Sequence, residues 1–243
     1  IANSIWRRHL QPKNPLWKQV VAQSFIVKDR SGTAHVMAIV DSRLSTIGLV
    51  GYFGATTEAA GVKVLEQACE WLKRRGLQDV YGPINGTITS DYRFNLSDDC
   101  RIPGEPVNPS WYIDVFHKAG FDTFNRYVSG IAKNPYLYVQ IVTSKKLITG
   151  FEHITLRAFS TKHPKKDLAT YHMLMNSIFP EQSIYCPIIS LAERTFNMAT
   201  QNPIFNTDYC YFLDDGDKTI GFIVAYPFED KLVLKTIGLL PDY

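Results

Sequence analysis

The stretch Thr57–Arg75 constrains this chain more than any other. Its apolar residues Ala60, Val64, Leu65, Ala68, Trp71 and Leu72 recur at three- and four-residue steps, which predicts an amphipathic helix. Thr57 can cap its start, Glu58 suits the first turn, and Lys73-Arg74-Arg75-Gly76 closes it with positive charge and a glycine. A short apolar strand, Leu49–Phe53, precedes the helix, and Asp79–Tyr81 starts another strand that Gly82-Pro83 breaks. Upstream, Ser24–Lys28 and Ala34–Asp41 flank Asp29-Arg30-Ser31-Gly32, the pattern of a β-hairpin. Downstream, Ile84–Pro109 is rich in Asn, Asp, Gly and Pro and reads as a long loop, a feature uncommon in a compact domain unless it has a function. Pro109–Ala119 then reads as a helix stopped at Gly120, and Phe124–Ala132 as a strand.

A helical connector over Tyr136–Ile148 leads into a second unit. That unit opens with the strand Ile154–Ala158, followed by helices over Lys166–Ile178 and Ser190–Thr200, the latter with Ser190 and Glu193 in capping-box spacing. Strands over Tyr209–Leu213 and Thr219–Tyr226 surround the turn Asp214-Asp215-Gly216-Asp217, and Lys231–Leu239 is a third. The plan is mixed α/β or α+β, in two units spanning residues 1–140 and 141–243.

Bulk properties narrow the function classes. Hydrophobic residues make up 45% and charged residues 20% of 243, ordinary proportions for a globular chain. A formal charge of +3 gives no footprint for nucleic acid or an anionic membrane, and the basic runs at Arg7-Arg8, Lys73-Arg74-Arg75, Lys145-Lys146 and Lys165-Lys166 are short. Cys69, Cys100, Cys186 and Cys210 form no metal or redox pattern, and the six histidines show no ligand spacing. Gly48, Gly51 and Gly54 lack the register of a dinucleotide motif. No segment reaches the ~18 apolar residues of a membrane span, and no signal peptide is visible, so the expected compartment is the cytoplasm. Ile1 stands in place of a Met, and the last residues read as a strand and turn. The expectation is therefore a piece of a longer protein.

The order hairpin, strand, helix ending WLKRRG, strand, helix ending KAGF, strand resembles the GNAT-type N-acetyltransferase fold. Ile154–Arg157, Thr219–Val224 and Leu234–Tyr243 resemble the family's strands again, so the resemblance implies two tandem copies of a mixed central sheet flanked by helices. The second copy stops before its coenzyme-binding loop. The loop stretch Gly82–Gly86, Tyr92-Arg93, Gly104–Pro109 and Trp111-Tyr112 also resembles bacterial GNAT-like proteins. The resemblance implies acetyl-CoA as acyl donor, with contacts at Tyr52, Phe53, Thr56, Thr57 and Gly61 in the first copy. In the second copy it implies contacts at Lys235, Thr236, Ile237 and Leu239.

Two departures weaken the first copy as a catalyst. The family's phosphate-loop positions fall on Thr56, Ala59 and Gly61, and only the last glycine survives. The position of the family's general-acid tyrosine is Phe116, which cannot donate a proton; Tyr112, one turn earlier, is the candidate substitute. In the long loop, Glu105 is a candidate general base. Asn85, Tyr92, Arg93 and Asn108 are candidate acceptor contacts, joined by Tyr185 from the second unit. The competing reading makes Asn85 and Asn108 turn formers and pairs Arg93 with Glu105 as an ion pair. The expected activity is acyl transfer from coenzyme A to a small-molecule or peptide amine by direct attack, with a homodimer as a candidate assembly. A non-catalytic ligand-binding or scaffold module is the alternative, and transfer from an aminoacyl-tRNA ranks below both.

Overall fold

A computed structural model describes residues 4–243 apart from 89, 97–101, 135, 137–139, 141–149, 151, 184 and 202–206. Among the described residues the chain is a mixed α+β structure of two four-stranded sheets and five α-helices.

The first sheet has the order β1-β2-β3-β4, from Val20–Asp29, Gly32–Asp41, Ile47–Ala55 and Asp79–Tyr81. β1 and β2 form the hairpin that the sequence predicts, β2 and β3 are antiparallel, and β4 runs parallel to β3. Helix α1 is Ser4–His9, and α2 is Glu58–Lys73, capped by the Thr57 side chain accepting from the Ala60 amide at 3.3 Å. The predicted apolar stripe is what α2 buries: Ala60, Val64, Leu65, Ala68 and Leu72 meet Val27, Val36, Ala38, Val50 and Phe53 of the sheet. Short helix α3, Tyr112–Lys118, adds Val115 and Phe116 to that core. The opposite face of the sheet is covered by Trp6 and Trp17 from the N-terminal segment, by Ile84 of the long loop, and by Tyr185 from the second half of the chain.

The second sheet is β5-β6-β7-β8, from Ile154–Ala158, Cys210–Asp215, Lys218–Phe228 and Lys231–Leu239, antiparallel throughout. Helix α4, Pro164–Gln182, lays Leu174, Met175 and Ile178 on Phe212, Phe222 and Val224. Helix α5, Leu191–Gln201, is capped by the Ser190 hydroxyl at 3.1 Å from the Glu193 amide. Glu193 does not complete the capping box. Its carboxylate turns to Arg43 of the first half at 2.9 Å, and Arg43 also holds Asp41 at 2.7 Å.

Two expectations fail on local structure. Phe124–Ala132 is exposed and forms neither strand nor helix; the Phe124 ring packs edge-on to Tyr81 of β4, 5.0 Å away, but the segment adds no strand to that edge. Strand β3 also continues through Gly54, where the sequence reading ends it. Most of the connector over Tyr136–Ile148, and Cys100, lie outside the described residues. Cys69, Cys186 and Cys210 form no disulfide among the described residues, and burial pushes their thiols up, to about 11, 11 and 12. No described helix is long and apolar enough to cross a membrane.

Candidate functional site

Strands β3 and β4 pair over only three residues, Ile47 to Leu49 against Asp79 to Tyr81, and then part. Two local features accompany the divergence. Between Gly51 and Gly54, β3 carries one residue more than β2 opposite, a bulge at which Tyr52 takes a positive φ of 52°. After Tyr81 the chain turns through a cis Gly82–Pro83 bond and crosses close over Gly51, where any side chain would run into the Ile84 carbonyl.

The opening is a pocket of about 290 Å³ at the carboxyl ends of the parallel pair. Its walls are rings: Trp6 of α1, Phe53 of β3, Phe94 of the loop and Tyr112 of α3, with Pro83, Pro106 and Pro109. Its polar groups are His35, Asn85, Asp91, Arg93 and Asn108.

Most of those polar groups are already engaged. Asn85 is buried, accepts from the Tyr52 amide at 2.5 Å and donates to Asp91 at 3.3 Å. Asn108 bonds Asn95 through both ends of its amide, at 2.8 and 3.1 Å. The Tyr112 hydroxyl accepts from the Ala55 amide at 3.0 Å and donates to the Ala55 carbonyl at 3.2 Å. Arg93 places one nitrogen, Nη2, 2.7 and 2.6 Å from the two oxygens of Glu105, donates from Nη1 to the Tyr92 hydroxyl, and stacks on Tyr92 and Tyr127. Glu105 also meets Lys235 of β8 at 3.3 Å. Burial works to raise the Glu105 carboxyl, but Arg93 and Lys235 outweigh it and hold the group below its ordinary range. Both Glu105 oxygens already accept from Arg93, and one also from Lys235, so the geometry matches the ion-pair reading of Arg93 and Glu105 rather than the general-base expectation.

His35 and Asp91 differ from these. His35 has no hydrogen-bond partner among the described residues, and its ring lies over Gly54, where an added Cβ would stand 2.5 Å from Cε1. His35 lines the pocket while its residue stays exposed, and partial desolvation of the ring lowers its pKa from the ordinary value, which leaves the imidazole neutral at pH 7. Asp91 accepts from the indole N–H of Trp6 at 3.0 Å and from Asn85, both uncharged, and no cation pairs with it among the described residues. Trp6 touches both, packing edge-on to the His35 ring at 6.3 Å. Neither His35 nor Asp91 carried a sequence signal. His35 sits in an ordinary strand, and Asp91 becomes part of the site only because the loop folds back beneath α1.

Behind the pocket runs a buried polar chain. His9 is 2% exposed and its ring contacts the Tyr52 hydroxyl, which donates to the Asn85 carbonyl at 3.1 Å; the Ser90 hydroxyl lies 3.2 Å from the other ring nitrogen. One arrangement satisfies all three contacts: His9 donates from Nδ1 and accepts from Ser90. Burial lowers His9 to about 4, and burial with the Asp91 charge raises the Tyr52 phenol.

Of the coenzyme contacts implied for the first half, only Phe53 faces the pocket. Tyr52 is turned into the core. The Thr56 hydroxyl bonds Thr33, that of Thr57 bonds the Ser31 carbonyl, and Gly61 is buried against Val115 and Phe53. The first turn of α2 carries Glu58, paired with Lys118, which opposes a phosphate there. Tyr92 stands behind Arg93, and Tyr185 is buried beside Tyr81, its hydroxyl 3.0 Å from that of Tyr127. In the second half, Lys235 reaches the Gly104 carbonyl at 3.3 Å, Thr236 pairs with Val224, and Ile237 and Leu239 are exposed.

No protein-family model matches the chain, and comparison with curated proteins finds no match.

Proposed function

We propose that the chain is an N-acyltransferase-like protein in which the pocket at the β3–β4 divergence receives an amine and the edge strand β8 receives the acyl-coenzyme A donor. The observation that carries the reading is the pocket itself. It is ring-walled, has few converging polar groups, and opens at the carboxyl ends of a parallel pair that has parted, where sheets of this kind accommodate ligands.

The donor is assigned to β8 because the first half does not fit it. There the outer edge of β3 is already engaged: Ile84 donates to the Val50 carbonyl at 2.8 Å, Asn85 takes the Tyr52 amide, and Tyr112 takes both backbone groups of Ala55. Strand β8 is an edge with no partner strand on its outer side among the described residues. It also repeats the irregularity of β3. One extra residue, Lys235, bulges between Leu234 and Thr236 opposite Val224 and Ala225. That repetition supports two copies of one plan. Lys235 and Tyr226 also tie β8 and β7 to the loop at Gly104, Glu105 and Pro103, so the donor strand borders the pocket wall.

Acyl-coenzyme A would supply an activated thioester. The chain's own contribution is to orient the amine in a water-poor cleft and bring it to the donor, with no activated nucleophile among the described residues. The closed β3 edge and the Glu58–Lys118 pair favour a second reading for the first half alone, a ligand-binding module without donor chemistry. Calorimetric titration with acetyl-CoA tests the proposal. Binding that Lys235→Glu weakens at least tenfold supports it; no binding leaves the ligand-binding module.

A further inference from the structure

The pocket's chemistry can be read by elimination. Asn85, Arg93, Asn108 and Tyr112 spend their hydrogen bonds on the protein. Arg93 is paired with Glu105, which Lys235 also meets, so every cation among the described lining residues already has a carboxylate partner. What faces a ligand is a carboxylate bonded only to neutral N–H groups and an exposed imidazole with no hydrogen-bond partner among the described residues.

We infer that Asp91 and His35, flanking the ring of Trp6, are the ammonium-recognising pair of the pocket. They select a ligand with a protonated amine on an apolar body and reject its neutral and anionic counterparts. The inference deepens the acyltransfer reading and rests on it only for the fate of the amine. Asp91 supplies the opposite charge, and the rings of Trp6, Phe94 and Tyr112 supply π faces that favour a cation over a neutral group of equal size. The neutral His35 ring receives one ammonium proton: an N–H bond of the ligand breaks, an N–H bond forms on the imidazole, and the amine keeps the electron pair it needs as a nucleophile. Gly54 leaves room for the imidazole to lie over the strand edge.

The test uses the whole chain, with benzylamine, benzyl alcohol and benzoate as probes. Affinity is measured by calorimetry and the His35 ring by nitrogen NMR. Benzylamine is expected to bind at least tenfold more tightly than the alcohol, benzoate not to bind, and the His35 ring resonances to move with benzylamine. Asp91→Asn should abolish the preference for the amine while keeping an oxygen for the Trp6 indole. His35→Gln, which leaves the Trp6–Asp91 bond untouched, should weaken amine binding at an unchanged melting temperature. Equal affinity for amine and alcohol, a silent His35 ring, or no binding of any probe overturns the inference. Acetyl-CoA titrated into the same sample separates the two readings. Amine selectivity without donor binding removes acyl transfer and keeps the pair; donor binding without amine selectivity does the reverse.

Discussion

His9 makes the folded state sensitive to acid in a way that can be calculated. Its ring is buried behind the pocket and its pKa is lowered from 6.5 to about 4 by burial. A histidine with a depressed folded pKa binds fewer protons in the native state than in the unfolded chain between those two values. Stability from the neutral ring is therefore fully present above 6.5 and is lost as pH falls toward 4. Each pH unit in that window removes about 1.4 kcal/mol, so lowering the pH from neutral to about 4.5 costs roughly 2.5 kcal/mol from this one residue. Other groups titrate over the same range, so the informative quantity is a difference. The unfolding free energy of the wild type and of His9→Gln would be measured by denaturant titration at both pH values. His9→Gln should start less stable at neutral pH, having lost the ring's contacts with Tyr52 and Ser90. It should then fall by about 2.5 kcal/mol less than wild type on acidification. Equal pH dependence in the two proteins, or a His9 ring that titrates near 6.5 by NMR, would refute the argument.

Three further outcomes follow from the same geometry. Gly51→Ala puts a methyl group into the Ile84 carbonyl, a backbone atom that cannot swing aside, and should cost about 3 kcal/mol in chemical denaturation. Gly54→Ala presses instead on the free end of the His35 side chain. It should leave the melting temperature nearly unchanged and weaken benzylamine binding several-fold by calorimetry. Arg43→Met strands Asp41 and Glu193, both buried, without their shared cation, and should destabilise the fold by roughly 3–5 kcal/mol; a loss under 1 kcal/mol would mean that solvent reaches both carboxylates.

How much was legible in advance differs between fold and site. Helix α2, its cap, the β1–β2 hairpin and strand β8 could be read from the chain because they rest on local rules. The spacing of Ala60 to Leu72 fixes a buried face, Thr57 fixes a start, and two residues of turn fix a hairpin. The segment over Phe124–Ala132 misled because β-propensity describes a residue's fitness for a sheet and not whether its backbone pairs with a strand, and here only the Phe124 ring meets β4. Asn85, Arg93, Asn108, Phe53 and Tyr112 were brought to one pocket, yet Glu105 became the partner of Arg93, and Tyr52, Gly61 and Tyr185 went into packing.

The sequence by itself determined which segments form most of the helices and strands, which face α2 buries, and which loop was too polar and too long to be a mere connection. Only the tertiary structure decided which of that loop's polar side chains stay free. Hydrogen bonds and charges are consumed by whatever neighbour lies within about 3 Å, and those neighbours come from remote stretches of chain: Ala55 for Tyr112, Lys235 for Glu105, Trp6 for Asp91. His35 is left open for the same reason, since the residue opposite it is a glycine with nothing to offer.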